Sequence, residues 1–203
     1  MIFRRIAAVL TVAAVAGLAA LQPAQAEPRQ YKMDPDHFAI VFMVHHLGLA
    51  DTVGMFREAS GSFTYDAEAQ TISDVEITVQ TDSVVTNHDA RDGHLRGTDF
   101  LNVQEFPTMT FTADEAEVTG ENTGKIHGEL TLLGQTKPLT LDVTYEGGRT
   151  YPFGDGHYAI GISARGTVER SAYGMNYAVQ NDIVGDEIHL IIEFEGIRQP
   201  KEG

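Results

Sequence analysis

Apolar and polar residues trade places at every second position through most of this chain, and no other feature constrains its fold as much. Val75, Ile77 and Val79 alternate with Asp74, Glu76 and Thr78, and a period of two places one set on each face of a β-strand. The same rhythm returns over residues 37–46, 56–65, 108–118, 125–133, 139–145, 158–168 and 188–194. Turn-forming residues separate these stretches, as in Gly134-Gln135-Thr136-Lys137-Pro138, and most connections are too short for the crossover helices of a parallel sheet. The chain therefore reads as all-β, with about eight antiparallel strands, the number at which a sheet can close around one small ligand. No repeat, low-complexity tract or linker divides it, so one domain is expected over residues 27–203.

Three places depart from the simple rhythm. Residues 37–46 are apolar on both faces, with Phe38, Ile40, Phe42, Val44 and His46 on one and Ala39, Val41, Met43 and His45 on the other. Phe56 and Phe63 are an odd number of residues apart, so both face inward only if a bulge lies within residues 58–61. Residues 81–111 stop alternating and crowd Asn87, His88, Arg91, Asp92 and His94 together. One short helix is expected there, near residues 88–96 and close to a barrel mouth. Asn87 is placed to cap it, Asp89 suits its first turn and Gly97 its end. Gly93 opposes it by about 1 kcal/mol relative to alanine.

Residues 1–26 read as a cleaved secretory signal: Arg4 and Arg5, an apolar stretch, then Ala24-Gln25-Ala26. The apolar part is too short for a spanning helix, which needs ~20 residues, and no later segment could cross a bilayer. With no cysteine in the chain, neither a disulfide nor a lipidated anchor is expected. In a bacterium with an outer membrane, the destination is the periplasm. The net formal charge of −15 argues against nucleic acid or an anionic membrane surface as partner, because both require clustered Lys and Arg.

Several runs, taken in order, resemble the YceI family of periplasmic proteins, also called polyisoprenoid-binding proteins. They are Asp36-His37 with Ile40-x-Phe42-x-Val44-x-His46-x-Gly48, Gly54-x-Phe56, Gly61-x-Phe63, Ser83-Val84-x-Thr86, Arg91-Asp92-x-His94-Leu95 and Asp99-Phe100-Leu101. Phe106-Pro107, Phe111, Gly128-x-Leu130-Thr131, Gly134-x-Thr136-Lys137-Pro138-Leu139, Arg170-Ser171-x-Tyr173-Gly174-Met175 and Gly185-Asp186-Glu187 complete the series. Each run is weak alone; their order and spacing are specific. The resemblance implies an extended, lipocalin-like barrel whose apolar interior holds an isoprenoid or fatty-acyl chain, its head near the opening, with no established catalytic constellation. Val41, Met43 and His45 stand where the family is commonly polar, which implies an outer face available to a partner.

Alternation alone leaves open whether the inward side chains fill the barrel or line a hollow; the resemblance implies a hollow. Its expected lining is Ile40, Phe42, Val44, Phe56, Phe63, Val75, Ile77, Phe100, Phe106, Met109, Phe111, Leu130, Leu132, Leu141, Val143, Ile160, Ile162 and Ile192. His46, Arg91, His94 and Tyr173 are the candidates to meet a polar head. Arg91 can fork onto a phosphate or carboxylate, or it can pair with Asp92 or Asp99 and pin the helix to the rim. His46 can equally be a core histidine satisfied by backbone. The run from Arg170 to Met175 is expected to close one barrel end, with Tyr173 or Tyr177 capping the cavity.

No metal site is expected. His45 and His46 face opposite ways on a strand, and His88 and His94 miss the i, i+4 spacing of a helical zinc pair. Catalytic residues and cofactors are likewise not expected: there is no Gly-x-Ser-x-Gly elbow, and residues 120–124 lack the ending of a phosphate loop. The expected function is a binding or carrier protein for an amphiphilic lipid. The alternatives are a stress-related or redox-partner binding module with incidental lipid, acting as a homodimer or with a membrane redox protein, and an unrecognised hydrolase.

Overall fold

The structure is a computed structural model and describes residues 27–201. The expected signal segment, residues 1–26, lies outside the described residues. The doubly apolar stretch becomes β1 (Arg29–His46), and its position explains its composition. It pairs along most of its length with β10 (Val184–Arg198), matching Ile40 with Ile192, Phe42 with Leu190 and Val44 with Ile188. First and last strands thus meet in an antiparallel seam that closes the ring.

On its other side β1 pairs with two strands in succession. β2 (Ala50–Phe56) runs beside its second half and β3 (Ala59–Asp66) beside its start. Both Phe56 and Phe63 are buried, as their spacing required. The irregularity that permits this lies at Arg57 and Glu58, between β2 and β3, and so overlaps the expected 58–61 only at Glu58. The two free N–H groups there donate to Ser83 Oγ, each at 3.1 Å.

β4 (Thr71–Gln80), β6 (Thr108–Val118), β7 (Thr123–Leu132), β8 (Gln135–Thr150) and β9 (Tyr158–Glu169) complete the circuit, with the two-residue β5 (Val84–Val85) pairing on β2. The ring β1–β3–β4–β6–β7–β8–β9–β10 is a closed eight-stranded antiparallel barrel, as expected. The helix α1 (Asp89–Arg96) lies between β5 and β6. Its cap differs from expectation: Asn87 adopts φ 61° in the turn before it, and His88 caps, its Nδ1 accepting from the Arg91 N–H at 3.2 Å. An asparagine tolerates left-handed backbone better than a histidine does, so the turn takes Asn87 and leaves the cap to its neighbour.

Two glycines on the inner wall keep the barrel from filling itself. A Cβ on Gly54 would sit 2.2 Å from the Phe42 ring, and one on Gly128 would sit 2.5 Å from the Phe111 ring. Each glycine leaves a slot in the neighbouring strand, and the ring lies flat in it against the wall. Flattened rings cover the wall without reaching across the axis.

Candidate functional site

At one end of the barrel the aromatic rings crowd against one another and fill the bore. Tyr31 stacks on Phe63 with centroids 5.4 Å apart, Tyr65 on Tyr145 at 5.3 Å, and Phe194 meets Phe63 edge-on at 5.8 Å. Tyr31, Phe63 and Tyr65 are all buried. Burial first, then Tyr158 beside it, pushes the Tyr145 hydroxyl up to about 12, and the Arg198 guanidinium lies 4.4 Å over the Tyr158 ring. This layer is the floor.

Above it runs a cavity of about 430 Å³, within the ordinary range of small-molecule sites, roughly 300–1,000 Å³. From Phe194 to Val184 along β10, a rise of ~3.3 Å per residue and a tilt of ~40° give a depth of roughly 25 Å. Its lining is apolar except for His46, Thr52, Arg91, His94, Thr110, Arg170 and Tyr177. All seven belong to the helix end, where β1 ends, β2 and β6 begin, and the turn after β9 folds over. The lining includes no Asp or Glu, although the chain as a whole is strongly acidic.

Most of the expected residues surround this space: Ile40, Phe42, Val44, Phe56, Phe63, Val75, Ile77, Phe100, Met109, Phe111, Leu130, Leu132, Leu141, Val143, Ile162 and Ile192. Phe106 does not. It follows the helix segment and packs on the β7–β8 hairpin, 3.0 Å from where a Cβ of Gly134 would be. Ile160 is inward and buried, but it pairs with Gly196 at the level of Phe63, where the floor already fills the bore. Of the head candidates, His46, Arg91 and His94 stand at the mouth. Tyr173 is instead a buried core residue outside the lining, and Tyr177 takes the capping position.

The mouth is organised around Thr86. Its N–H donates to Asp92 Oδ1 at 2.7 Å and its hydroxyl donates to the same oxygen. Arg91 then donates to the Thr86 hydroxyl through Nε and to the Thr86 carbonyl through Nη2, both at 2.7 Å. The Thr86 hydroxyl bond holds the Asp92 carboxyl below the usual carboxylate range, with the Thr86 N–H adding to it. Among the described residues no carboxylate lies within ion-pair distance of Arg91, so the expected alternative of pairing with Asp92 or Asp99 does not occur. His94 takes Asp99 at 2.9 Å and packs edge-on against Phe100 and Tyr177, each at 4.9 Å.

Arg170 is the mouth residue that the sequence did not single out beyond its place in a barrel-closing run. It is buried and donates to the carbonyls of Met175, Tyr177, Val184 and Gly185 at 2.7–2.9 Å. Burial lowers its pKa from the ordinary guanidinium value, yet it stays charged. The mouth thus carries two guanidinium groups and two imidazoles around an apolar shaft, an arrangement suited to an acceptor-rich head over a hydrocarbon tail.

Comparisons with known proteins agree with this architecture. Residues 31–196 match the family model described as YceI-like domain. A UPF0312 protein of Pectobacterium carotovorum is 37% identical over 190 residues, covering 94% of this chain and 96% of that one. A UPF0312 protein of Pseudomonas aeruginosa is 38% identical over 192 residues, covering 93% and 98%. Among solved structures, the Campylobacter jejuni YceI protein superposes with a TM-score of 0.70 at 29% identity, covering 77% of this chain and 90% of that one. A polyisoprenoid binding domain from Saccharophagus degradans shares the fold at a TM-score of 0.61 and 12% identity, covering 83% and 98%. On sequence, fold and coverage together, the chain belongs to the family of YceI-like domain proteins.

Proposed function

We propose that this protein is a binding and carrier protein for an amphiphilic lipid, an isoprenoid or a fatty-acyl chain, and not an enzyme. The tail lies in the shaft and the head meets Arg91, His46, His94 and Arg170. One observation carries the reading: every polar side chain on the lining gathers at one end of an otherwise apolar cavity. Each methylene taken from water contributes about 0.8 kcal/mol, partly offset by ordering the chain, so a long tail binds well with few polar contacts. The family and the polyisoprenoid binding named for the Saccharophagus domain support a binding role. With the leader of residues 1–26 removed, the carrier works in the periplasm; among the described residues no helix is long and apolar enough to cross a membrane.

Organic-solvent extraction of the purified protein followed by mass spectrometry tests this. A co-purifying prenyl or acyl species at near one per chain is expected; an empty protein that also fails to take up added prenyl or acyl lipid overturns the reading. A second reading, a protein-binding module with incidental lipid, is supported by the outer face of the seam. There Val41 pairs with Met55 and Ile191, Met43 pairs with Val53, and both Val53 and Met55 are exposed. Light scattering and pull-down with Met55→Glu distinguish it: that reading requires a homodimer or a membrane redox partner lost in the variant.

A further inference from the structure

The seam between β1 and β10 is interrupted once, far from the mouth. Met33 pairs with Gly196 and Phe38 with Phe194, so residues 34–37, Asp-Pro-Asp-His, bulge out opposite the single residue Glu195. A bulge re-aims side chains, and here it brings Asp34 and His37 of the first strand to Glu195 of the last. One ligand-capable atom from each lies within 4.8 Å of the others. Asp34 is buried although it faces away from the barrel interior, and its Oδ2 lies 2.9 Å from His37 Nδ1.

The β8–β9 loop folds over this cluster. Tyr151 donates its hydroxyl to one Glu195 oxygen, and its ring lies 6.2 Å from His37 and 4.2 Å from His157. His157 stands beside the cluster. Its Nδ1 is held 2.7 Å from Asp155 Oδ1, while its Nε2 is buried and has no hydrogen-bond partner. His157 also lies close enough to Asp34 to help lower its carboxyl pKa, after the larger effects of burial, which raises it, and of the His37 and Asp36 hydrogen bonds.

We propose that Asp34, His37 and Glu195 form a binding site for a divalent first-row transition-metal ion, of which Zn²⁺ is the probe, that staples the barrel seam. One imidazole with two carboxylates is a donor set zinc accepts, at about 2.0–2.2 Å per bond. Closing from the present spacing to that of tetrahedral ligands takes about an ångström of side-chain movement, in a bulge that carries no ladder bonds to break. The ion takes the place of the proton now shared between Asp34 and His37, and it ties the first strand to the last. The site lies outside the barrel near its floor and is independent of the lipid reading.

Isothermal titration of the EDTA-treated protein with Zn²⁺, together with thermal melts, tests the proposal. One saturable site per chain is expected, with a rise in melting temperature. His37→Gln and Glu195→Gln should each weaken binding by about tenfold or more and abolish the rise. The control His127→Gln removes an exposed histidine 3.5 Å from Glu117 and should change neither. Absence of a saturable site, or binding and stabilisation unaltered in both cluster variants while they remain folded, overturns the proposal.

Discussion

The two ends of the barrel are built from different chemistry, and the difference shows how a tube of strands becomes a one-mouthed container. At the floor, Tyr31, Phe63, Tyr65, Tyr145 and Phe194 meet ring to ring, held by apolar burial and by hydroxyls at the periphery. At the mouth, closure depends on directional bonds converging on Thr86 and on Arg170, with His94 and Tyr177 as an exposed fringe packed on the buried Phe100. Stacked rings resist opening because any gap loses buried area and dispersion contacts on both sides. A rim held by a few hydrogen bonds can exchange them for bonds to a ligand head at small net cost.

The harshest way to break the comparison is to place a charge between the two ends. Leu141→Asp, or Phe111→Asp, puts an unpaired carboxylate on the apolar wall and should cost more than about 4 kcal/mol. Loss of co-purifying lipid is expected, and circular dichroism shows whether the barrel survives. Tyr65→Ala removes one ring of the floor and should cost about 3–5 kcal/mol while admitting longer chains, read by denaturant melts and by the chain-length distribution of extracted lipid. Gly54→Val acts on the wall: it forces the Phe42 ring out of its slot and should cost about 1–3 kcal/mol, with shorter bound chains.

Finer effects sharpen the contrast. Arg91→Ala should weaken anionic-headed lipids about tenfold, near 1.4 kcal/mol, and neutral-headed ones less; equal loss for both would make Arg91 a purely structural residue of the mouth. The pH dependence should separate the ends most gently. Asp92 is held below its ordinary carboxylate value, so its contribution is present above the unfolded value and is lost as pH falls through the folded one. Acid should therefore loosen the mouth first. Tyr145 is raised to about 12, so its contribution is whole below the ordinary tyrosine value of 10 and is lost as pH climbs toward 12. Fluorescent-lipid release should accelerate in acid, and tyrosinate absorbance should appear at the floor only in strong alkali.

Much of the site was legible because inward positions follow from period two: Val75, Ile77 and Val79 needed nothing beyond their spacing to be assigned. The misses have local causes. Ile160 has the right parity, but parity gives the face and not the depth, and its partner Gly196 sits at the floor. Tyr173 belongs to a 3-10 turn, where alternation carries no information. Phe106 lies just before β6 begins. Arg170 stood in the motif that marked a barrel end, yet its role required knowing that four carbonyls, two from the segment after β9 and two from the start of β10, converge on it. The proposed role of His37 left no mark in the sequence, because Glu195 is far away in the chain.

The amino-acid order by itself determined that this chain makes antiparallel strands, which residues face inward, that one helix interrupts them, and that Arg91 and His94 lie on it. These are local matters, settled by repeats of two and by residues that cap or break. Whether the inward residues would meet or stand apart was decided only in three dimensions. That outcome depends on which neighbour each ring finds: Phe42 and Phe111 find glycines and lie flat, whereas Tyr65 finds Tyr145 from a strand elsewhere in the ring and helps shut the bore. Registry between distant strands sets those neighbours, and no local pattern encodes it.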